Sequence, residues 1–274
     1  MSNLATNFFT WALVTGASTG IGRALCLLLA DEGVNLIVVA RNEGLLKSLA
    51  QEIGDKVKIE ILVADLSDKD QRKQVVEKII QRVPDLIINN AGWGYYGDAL
   101  TRETLESMNM LEVNAAALME LSLEGARGLY SAGKKGVIMN ISSAAAFQIF
   151  PSFSVYAATK AFVNRFSESF DEEMKPYGIR VLASCPGMVD TEFQARAASK
   201  KVNKDPSYMT TLFAAKEIRK QISTGKKVHT FNWKYRLATF LTRYLIPNWL
   251  IVKALKSNSK FKNSKKPFLS TKFV

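Results

Sequence analysis

The sequence is poor in the residues that build disulfide frameworks and zinc sites. Its 274 residues contain two cysteines and one histidine. Cys26 and Cys185 each lie in an apolar run, which indicates reduced thiols and excludes a disulfide scaffold. His229 has no cluster of cysteines to join, so no metal site is predicted.

Two further absences concern secretion and membrane insertion. The N-terminus has no basic segment followed by an apolar one, so we predict no secretory signal and expect a cytoplasmic protein. The apolar stretch near the C-terminus is interrupted by Arg243 and Pro247. It is therefore not a clear transmembrane helix, because such a helix needs about 20 consecutive apolar residues.

The charge that is present is unevenly distributed. The composition, 47% hydrophobic and 23% charged, is that of a globular protein. The net charge is +12, but residues 200–274 alone hold 18 basic and 2 acidic residues, a net of +16, and the remainder of the chain has a net of −4. The basic character thus belongs to the C-terminal quarter and not to the fold as a whole.

A glycine-rich loop lies between a short apolar strand, residues 11–16, and an apolar helix that ends near Gly33. The loop reads TGASTGIG, a variant of the dinucleotide-binding fingerprint. Gly16 would permit the tight turn, Gly20 a close approach to phosphate, and Gly22 close packing of the helix on the sheet. The loop is thus predicted to bind a pyrophosphate through its N–H groups. An ordinary strand–helix turn is the alternative.

The second and third strands end in residues that bear on cofactor choice. The second strand, residues 35–40, is followed by Arg41, with no carboxylate at its end to repel a 2′-phosphate. Arg41 could bind such a phosphate, which favours NADP(H) over NAD(H); a solvated arginine is the alternative. The third strand ends at Asp65, which either accepts from an adenine amine or caps the next helix.

The alternation of strands and helices predicts one Rossmann-type α/β domain, a doubly wound parallel sheet with helices on both faces. Ligands of such sheets bind at the carboxyl ends of the strands. Six predicted strands end near the polar, glycine or proline residues Gly16, Arg41, Asp65, Asn90, Ser143 and Pro186. In a predicted helix over 104–131, Asn114 lies in an apolar face, where it either fixes a bend or holds a water.

Tyr156 and Lys160 are four residues apart in a predicted helix over 154–176, so they share one face. A nearby cation lowers the pKa of a phenol, and the pair therefore indicates a tuned proton donor or acceptor. Ser143, at the end of the preceding strand, could polarise a carbonyl that Tyr156 protonates. The alternative is a helix start with a surface tyrosine and lysine.

These motifs together resemble the short-chain dehydrogenase/reductase family over about residues 8–195. The resemblance rests on TGASTGIG, Asp65-Leu66, NNAG at 89–92, Asn114, Ser143, Tyr156, Lys160 and PGMVDT at 186–191. It implies that Tyr156 is the general acid or base, that Lys160 binds the nicotinamide ribose, and that Ser143 holds the substrate oxygen. It also implies that Asn114 supports a water that relays protons to Lys160.

The resemblance also implies which residues bind the cofactor and which serine is catalytic. Ser143 is chosen over Ser142 because it stands at the family's usual interval before Tyr156, and because strand alternation points Ser142 the opposite way. The expected cofactor-binding residues are Gly16, Ser18, Thr19, Gly20, Ile21, Gly22, Arg41, Asp65, Leu66, Asn90, Tyr156, Lys160, Pro186, Gly187, Val189 and Thr191.

Three regions are predicted along the chain. Residues 1–230 form the catalytic domain, with a substrate lid over about 190–215. Residues 231–256 form a basic amphipathic extension, and 257–274 a basic tail that is predicted to be disordered. The extension resembles that of one bacterial subgroup whose members are often assigned to lipid or acyl metabolism.

The extension at 231–256 has two open interpretations. Either it contacts an anionic membrane peripherally, at the inner face, or it contacts a subunit or covers the substrate. Nucleic acid is not expected, because no recognised binding module accompanies the charge. The family resemblance implies a homo-oligomer.

The predicted substrate is a hydrophobic carbonyl compound or alcohol. The segments expected to line the pocket, 93–96, 145–153 and 188–212, include apolar and aromatic runs with few charges. The predicted activity is NADP(H)-dependent reduction of a ketone, or oxidation of a secondary alcohol, on a lipid-like or acyl substrate. The alternatives are a non-catalytic NADP(H)-binding sensor or scaffold and a membrane-associated interaction protein.

Overall fold

The structure of the protein is a computed structural model. It describes residues 9–97, 102–193, 197, 208–231, 236–237, 249–250 and 253. The predicted tail at 257–274, and most of the predicted extension at 231–256, lie outside these residues. Within the part of the chain that the structure describes, none of the helices is long and apolar enough to cross a membrane.

A seven-stranded sheet with only parallel neighbours forms the centre of the fold, in the order β3-β2-β1-β4-β5-β6-β7. The strands are β1 (Trp11–Thr15), β2 (Asn35–Ala40), β3 (Ile59–Val63), β4 (Leu86–Asn89), β5 (Gly136–Ile141), β6 (Ile179–Cys185) and β7 (Val228–Thr230). The order reverses between β1 and β4, as in a doubly wound sheet. The predicted fold class is confirmed, and β7 is a strand that the sequence analysis missed.

Helices connect the strands and cover both faces of the sheet. They are α1 (Gly20–Asp31), α2 (Glu43–Ile53), α3 (Lys69–Arg82), α4 (Thr104–Leu111), α5 (Leu118–Ser131), α6 (Ser154–Met174) and α7 (Thr211–Thr224). A π-helical segment, Glu112–Ala117, joins α4 to α5. The long helix predicted over 104–131 is therefore real, but it widens by a π turn at Asn114.

Side-chain caps define the starts of α2 and α3. The Asn42 side chain accepts a hydrogen bond from the Leu45 N–H at the start of α2, and Asp68 accepts from two N–H groups at the start of α3. The carboxylate of Asp65 instead accepts from the backbone N–H and hydroxyl of Ser67. Of the two alternatives left open for Asp65, capping of this helix is not the one observed, because Asp68 holds the capping position.

Alternate residues of β1 pack into two separate apolar cores, one on each face of the sheet. Leu13 of β1 packs into the cluster with Ile79 and Leu129, whereas Val14 packs into the cluster with Leu25 on the other face. All five side chains are fully buried. Burial on both faces explains why the central strands β1, β2 and β4 are nearly continuous apolar runs, and it leaves mainly their ends free for polar chemistry.

The predicted lid over 190–215 is described only in part, since 194–196 and 198–207 lie outside the described residues. Val189 and Met209 form a parallel bridge, which joins the two ends of this region. Residues 211–215 already belong to α7, whose Ala214 and Ala215 are buried in the core with α1. The end of the predicted region is therefore part of the scaffold.

Candidate active site

A cavity of about 950 Å³ opens at the carboxyl ends of the strands. It extends from the glycine loop after β1, past the ends of β2 and β3, to Tyr156 on α6. The predicted site residues that line it are Gly16, Ser18, Thr19, Gly20, Ile21, Arg41, Asp65, Leu66, Asn90, Ser143, Tyr156, Lys160, Pro186, Gly187, Val189 and Thr191. Gly22 and Asn114 are not among its lining residues.

The glycine loop needs glycine for two distinct physical reasons. Gly16 and Gly20 have φ values of 64° and 59°, the left-handed conformation that glycine adopts without strain. At Gly22 the limit is space, because an added Cβ would lie 2.3 Å from the Gly16 carbonyl oxygen. Asn90 then stabilises the loop by donating to the carbonyl oxygens of Thr15 and Gly16.

At the far end of the cavity, Arg41 pairs with an acidic residue. Its Nη1 lies 3.5 Å from Asp65 Oδ2, and the Arg41 side chain is 67% exposed. Burial raises the pKa of Asp65, but hydrogen bonds from Ser67 and the charge of Arg41 outweigh it and hold that pKa below its usual range. Asp65 is therefore an anion beside Arg41.

No carboxylate stands at the end of β2, yet two carboxylates border this end of the cavity. Asp65 comes from the end of the neighbouring strand β3, and Glu43 from the first turn of α2, where it pairs with Lys47. The end of β2 itself carries no carboxylate, as predicted, but the neighbouring strand end and the start of α2 bring two carboxylates to the same part of the cavity. Arg41 remains the residue there that can bind an added phosphate.

Tyr156 is enclosed by aromatic rings. Its ring stacks on Phe153 at a centroid distance of 4.3 Å, Phe153 stacks on Tyr96 at 3.8 Å, and Phe193 lies 5.4 Å from Tyr156. Burial raises the pKa of Tyr156 well above its usual range, and the hydrogen bond with Ser143 only partly offsets this. The direction is opposite to the predicted one, so the phenol is held in its protonated form.

Lys160 is almost fully buried, at 4% exposure. Its Nζ donates to the carbonyl oxygen of Ile141 at 2.8 Å and lies 5.7 Å from the centroid of the Tyr156 ring. Burial lowers the pKa of Lys160 to about 8. The two residues share a face of α6, as predicted, but the lysine is anchored to the end of β5.

Asn114 lies behind the cavity, in the π-helical segment. Its Oδ1 accepts from the Trp93 N–H at 3.0 Å, and its Nδ2 donates to the Trp93 carbonyl oxygen at 2.8 Å. A Cβ added to Gly92 would lie 3.1 Å from Asn114 Oδ1 and 3.3 Å from Lys160 Nζ. Because Gly92 has no side chain, the space between these two polar atoms remains free of protein.

The two serines at the end of β5 point in opposite directions, as strand alternation predicts. Ser142 is buried and its hydroxyl donates to the Lys160 carbonyl oxygen at 3.0 Å. Ser143 accepts from the Ala145 N–H at 3.1 Å and hydrogen-bonds with Tyr156. Of the two serines, Ser143 is thus the one next to the phenol.

Several lining residues were not identified from the sequence. They are apolar or small residues at the strand ends, residues at the start of α2, and one residue of the π-helical segment, namely Val39, Ala40, Asn42, Glu43, Leu45, Ala64, Ala91, Gly92 and Val113. The predicted aromatic segments do supply the wall near Tyr156, through Trp93, Tyr96, Phe150, Phe153 and Phe193. The start of α2 could have been identified, since a helix that follows the second strand begins beside Arg41.

A family model described as short chain dehydrogenase matches residues 10–202 of the chain. A very-long-chain 3-oxoacyl-CoA reductase-like protein of Arabidopsis thaliana is 33% identical over 250 residues, which cover 88% of this chain and 78% of that protein. The match to the family model includes β1 to β6, the glycine loop and the tyrosine–lysine helix.

Solved structures show the same fold. A short-chain dehydrogenase from Sphingobium yanoikuyae in complex with NADPH has a TM-score of 0.77 at 26% identity, covering 96% of this chain and 99% of that one. A bulky-bulky ketone specific alcohol dehydrogenase from Comamonas testosteroni has a TM-score of 0.74 at 25% identity, covering 96% and 97%.

Proposed function

The chain belongs to the short-chain dehydrogenase family, and on that basis we propose that it is an NADP(H)-dependent oxidoreductase acting on a hydrophobic ketone or secondary alcohol. The observation that carries the proposal is the single cavity wall that joins the glycine loop to Tyr156, Ser143 and Lys160. A dinucleotide bound on the loop would reach the phenol along this wall. The bound nicotinamide would supply or accept the hydride.

The protein's own residues would handle the proton and the orientation of the substrate. The Tyr156 phenol, held protonated by burial, would donate its proton to the carbonyl oxygen in reduction. Ser143, hydrogen-bonded with Tyr156, would hold that oxygen. Lys160 would bind the nicotinamide ribose, and Asn114 would hold a water in the space beside Gly92 for proton return.

NADP(H) is proposed over NAD(H) on the basis of Arg41. Its guanidinium lies at the cavity end opposite Tyr156 and is exposed enough to reach a phosphate. A 2′-phosphate would compete with Asp65 for this cation, and it carries more charge than a carboxylate. The Sphingobium yanoikuyae relative is described in complex with NADPH, which supports the same preference.

A hydrophobic substrate is proposed on the basis of the aromatic wall around Tyr156. The wall is formed by Trp93, Tyr96, Phe150, Phe153 and Phe193. Aromatic walls favour apolar groups beside the reacting carbonyl, such as a 3-oxoacyl thioester or a lipid ketone. The names of the two relatives above, a 3-oxoacyl-CoA reductase-like protein and a bulky-bulky ketone specific dehydrogenase, agree with this class.

We further propose a homo-oligomer in the cytoplasm that contacts the membrane peripherally through 231–256. The membrane contact is inferred from the net charge of +16 over residues 200–274 and from the aromatic residues interleaved with the basic ones, and the homo-oligomer from membership of the family. Full-length protein should co-sediment with vesicles containing anionic lipid and not with neutral ones. Charge reversal at five basic residues should abolish this, namely at Lys234, Arg236, Arg243, Lys253 and Lys256. Equal sedimentation of both forms would contradict the membrane contact.

The decisive test of the enzyme proposal is oxidation of NADPH and NADH against hydrophobic ketones and 3-oxoacyl thioesters. Tyr156→Phe should reduce turnover by about 10³-fold while NADPH stays bound, because the variant keeps the ring and loses only the proton donor. Full activity in this variant would overturn the mechanism. Absence of turnover in the wild type, together with tight NADPH binding, would favour the sensor or scaffold alternative.

The proposed preference for NADPH over NADH can be tested separately, with a variant of Arg41. Arg41→Ala should raise the KM for NADPH by about tenfold and leave that for NADH within about twofold, because a charged hydrogen bond to phosphate contributes about 1.5–3 kcal/mol. An equal rise in the KM values for NADPH and NADH would mean that Arg41 acts on the fold or on the part of the cofactor that both coenzymes share.

A further inference from the structure

We propose that Cys185, together with Ser142 and Asn164, positions the catalytic helix α6 against the ends of β5 and β6. In this arrangement the cysteine is a hydrogen-bonding member of the framework that holds Lys160 and Tyr156, and not a space-filling core residue. The proposal rests on the proposed function, since it assigns Lys160 and Tyr156 as the groups being positioned.

The framework begins with two neighbouring strand ends. Ile141 of β5 pairs with Ser184 of β6 in the sheet register, and the Ser142 N–H donates to the Ser184 carbonyl oxygen at 2.7 Å. Ser142 and Cys185 are therefore the next pair along these two parallel strands. Adjacent positions in register point to the same face of a sheet, and here that face is covered by α6.

Each of these side chains bonds a different turn of the helix. The Ser142 hydroxyl donates to the carbonyl oxygen of Lys160 at 3.0 Å, and Cys185 Sγ lies 3.3 Å from Asn164 Oδ1. Lys160 and Asn164 are four residues apart, so the two contacts hold consecutive turns on one face of α6. Two strands thus restrain both the rotation and the translation of the helix at the catalytic turn.

Two consecutive residues hold Lys160, one at its side-chain ammonium and one at its backbone carbonyl. Ile141 accepts from its ammonium at 2.8 Å, while Ser142 donates to its backbone carbonyl. The backbone links this double contact to the contact at Asn164, because the Ser142 N–H donates to the carbonyl oxygen of Ser184, the residue before Cys185. A displacement at Cys185 would consequently reach the lysine through the neighbouring Ser184 backbone and the Ser142 hydroxyl.

The chemistry of the thiol suits a structural donor. Cys185 is fully buried, and burial raises its pKa to about 12, so it is a neutral S–H at physiological pH. A thiol is a weak donor, and the amide oxygen of Asn164 is its acceptor. Because a buried thiol of this kind is a poor nucleophile, a positioning role fits Cys185 better than a reactive one.

The second cysteine provides a matched control. Cys26 is also fully buried, but it lies in the apolar cluster between α1 and the sheet. Cys26→Ala and Cys185→Ala delete the same atoms from equally buried sites, so their costs in core packing should be similar. Only Cys185→Ala also removes a contact to α6, and Cys185→Ser retains a donor at that position.

The experiment compares kcat, KM and NADPH affinity in these three variants with the wild type. Cys185→Ala should lower kcat by about tenfold with NADPH affinity within about twofold, because small displacements of reacting groups are costly and the cofactor loop is untouched. Cys185→Ser should recover kcat to within about twofold of the wild type. Cys26→Ala should lose thermal stability but keep its kcat.

Two kinetic results would overturn the proposal: an unchanged kcat in Cys185→Ala, or an equal loss of kcat in Cys26→Ala. Hydrogen exchange of α6 gives a readout that does not depend on turnover. Exchange over residues 157–170 should be faster in Cys185→Ala and near wild type in Cys185→Ser and Cys26→Ala. If the wild type reduces no ketone, the proposed function fails, while faster exchange still supports the framework and unchanged exchange refutes it.

Discussion

The two ends of the cavity differ in whether backbone or side chains form them. The cofactor end is mostly backbone, with Gly16 and Gly20 in left-handed conformations and Asn90 bonded to the loop carbonyls. The substrate end is mostly side chain, formed by rings such as Tyr96 and Phe153. A backbone site tolerates almost no added atoms, whereas a side-chain site can be reshaped. Changes at the first end should therefore abolish binding, and changes at the second should redirect it.

The largest effect is expected at the backbone end, from Gly22→Ala. The added Cβ would lie 2.3 Å from the Gly16 carbonyl oxygen and 2.5 Å from Asn90 Nδ2, so the loop itself must shift. We expect NADPH affinity to fall by about 100-fold and the free energy of unfolding by roughly 2–3 kcal/mol. Fluorescence titration with NADPH and urea unfolding measure the two effects.

Gly128→Ala is the control for that variant, because Gly128 is also helical. A Cβ there meets no atom closer than Val83 Cγ1 at 4.0 Å. This variant should keep the NADPH affinity of the wild type. Its free energy of unfolding should rise by about 0.5–1 kcal/mol, since alanine is the better helix residue. Unaltered cofactor affinity in Gly22→Ala would mean that the loop has more freedom than its contacts indicate, and would weaken the contrast between the two ends.

A second, smaller effect is expected at Lys160, where the two ends meet. Burial lowers the pKa of Lys160 from 10.5 to about 8, so the unfolded chain binds more protons than the folded one between these values. Lys160 therefore destabilises the fold at neutral pH, and this cost disappears as pH rises from about 8 to about 10.5. Lys160→Met should stabilise the fold at pH 7 by on the order of 2 kcal/mol after loss of the Ile141 hydrogen bond.

Urea unfolding of Lys160→Met and wild type at pH 7 and pH 10.5 checks this prediction. The stability difference between them should shrink at the higher pH. Lys73→Met, on the exposed side of α3, should show no such trend. If Lys160→Met were more stable than the wild type by the same amount at both pH values, better packing of the apolar side chain would be the cause. The buried charge would then not be the cause.

The same contrast explains how much could be predicted from the sequence. The glycine loop, Asp65 and Asn90 follow strands whose apolar runs are unmistakable, so their places at the sheet edge were correctly predicted. The seventh strand was missed because Val228–Thr230 is only three residues long and is followed by the aromatic, basic extension. Its pairing with β6 depends on α7, which the sequence analysis did not predict either.

Electrostatic details were the least predictable, because they depend on neighbours distant in sequence. The position of Tyr156 and Lys160 on one face of a helix was predicted correctly. The predicted fall in the pKa of the Tyr156 phenol was wrong. That value depends on how deeply the ring is buried, which is set by contacts with Phe153 and Phe193. Likewise, the pairing of Arg41 with Asp65 requires two strand ends to be adjacent in the sheet.

The smallest effect is expected at the side-chain end, from Gly94→Ala. The added Cβ would lie 2.8 Å from Tyr156 Cδ2, 2.9 Å from Phe193 Cζ and 3.0 Å from Phe153 Cε2. These are ring atoms, which can move more easily than the backbone of the glycine loop, so the fold should survive. The space lost is next to the phenol. We therefore expect kcat/KM to fall by about tenfold for bulky ketones and by about threefold for small ones, which corresponds to roughly 1.4 and 0.6 kcal/mol.

Cofactor affinity is the internal control for Gly94→Ala and should stay within about twofold of the wild type, since the glycine loop is at the other end of the cavity. The ratio between bulky and small ketones is the quantity to measure, because a general loss of stability would lower both alike. An equal fall for both classes, or a parallel loss of NADPH affinity, would show that the two ends are coupled through Tyr156. In that case the substrate end would be as intolerant of added atoms as the glycine loop.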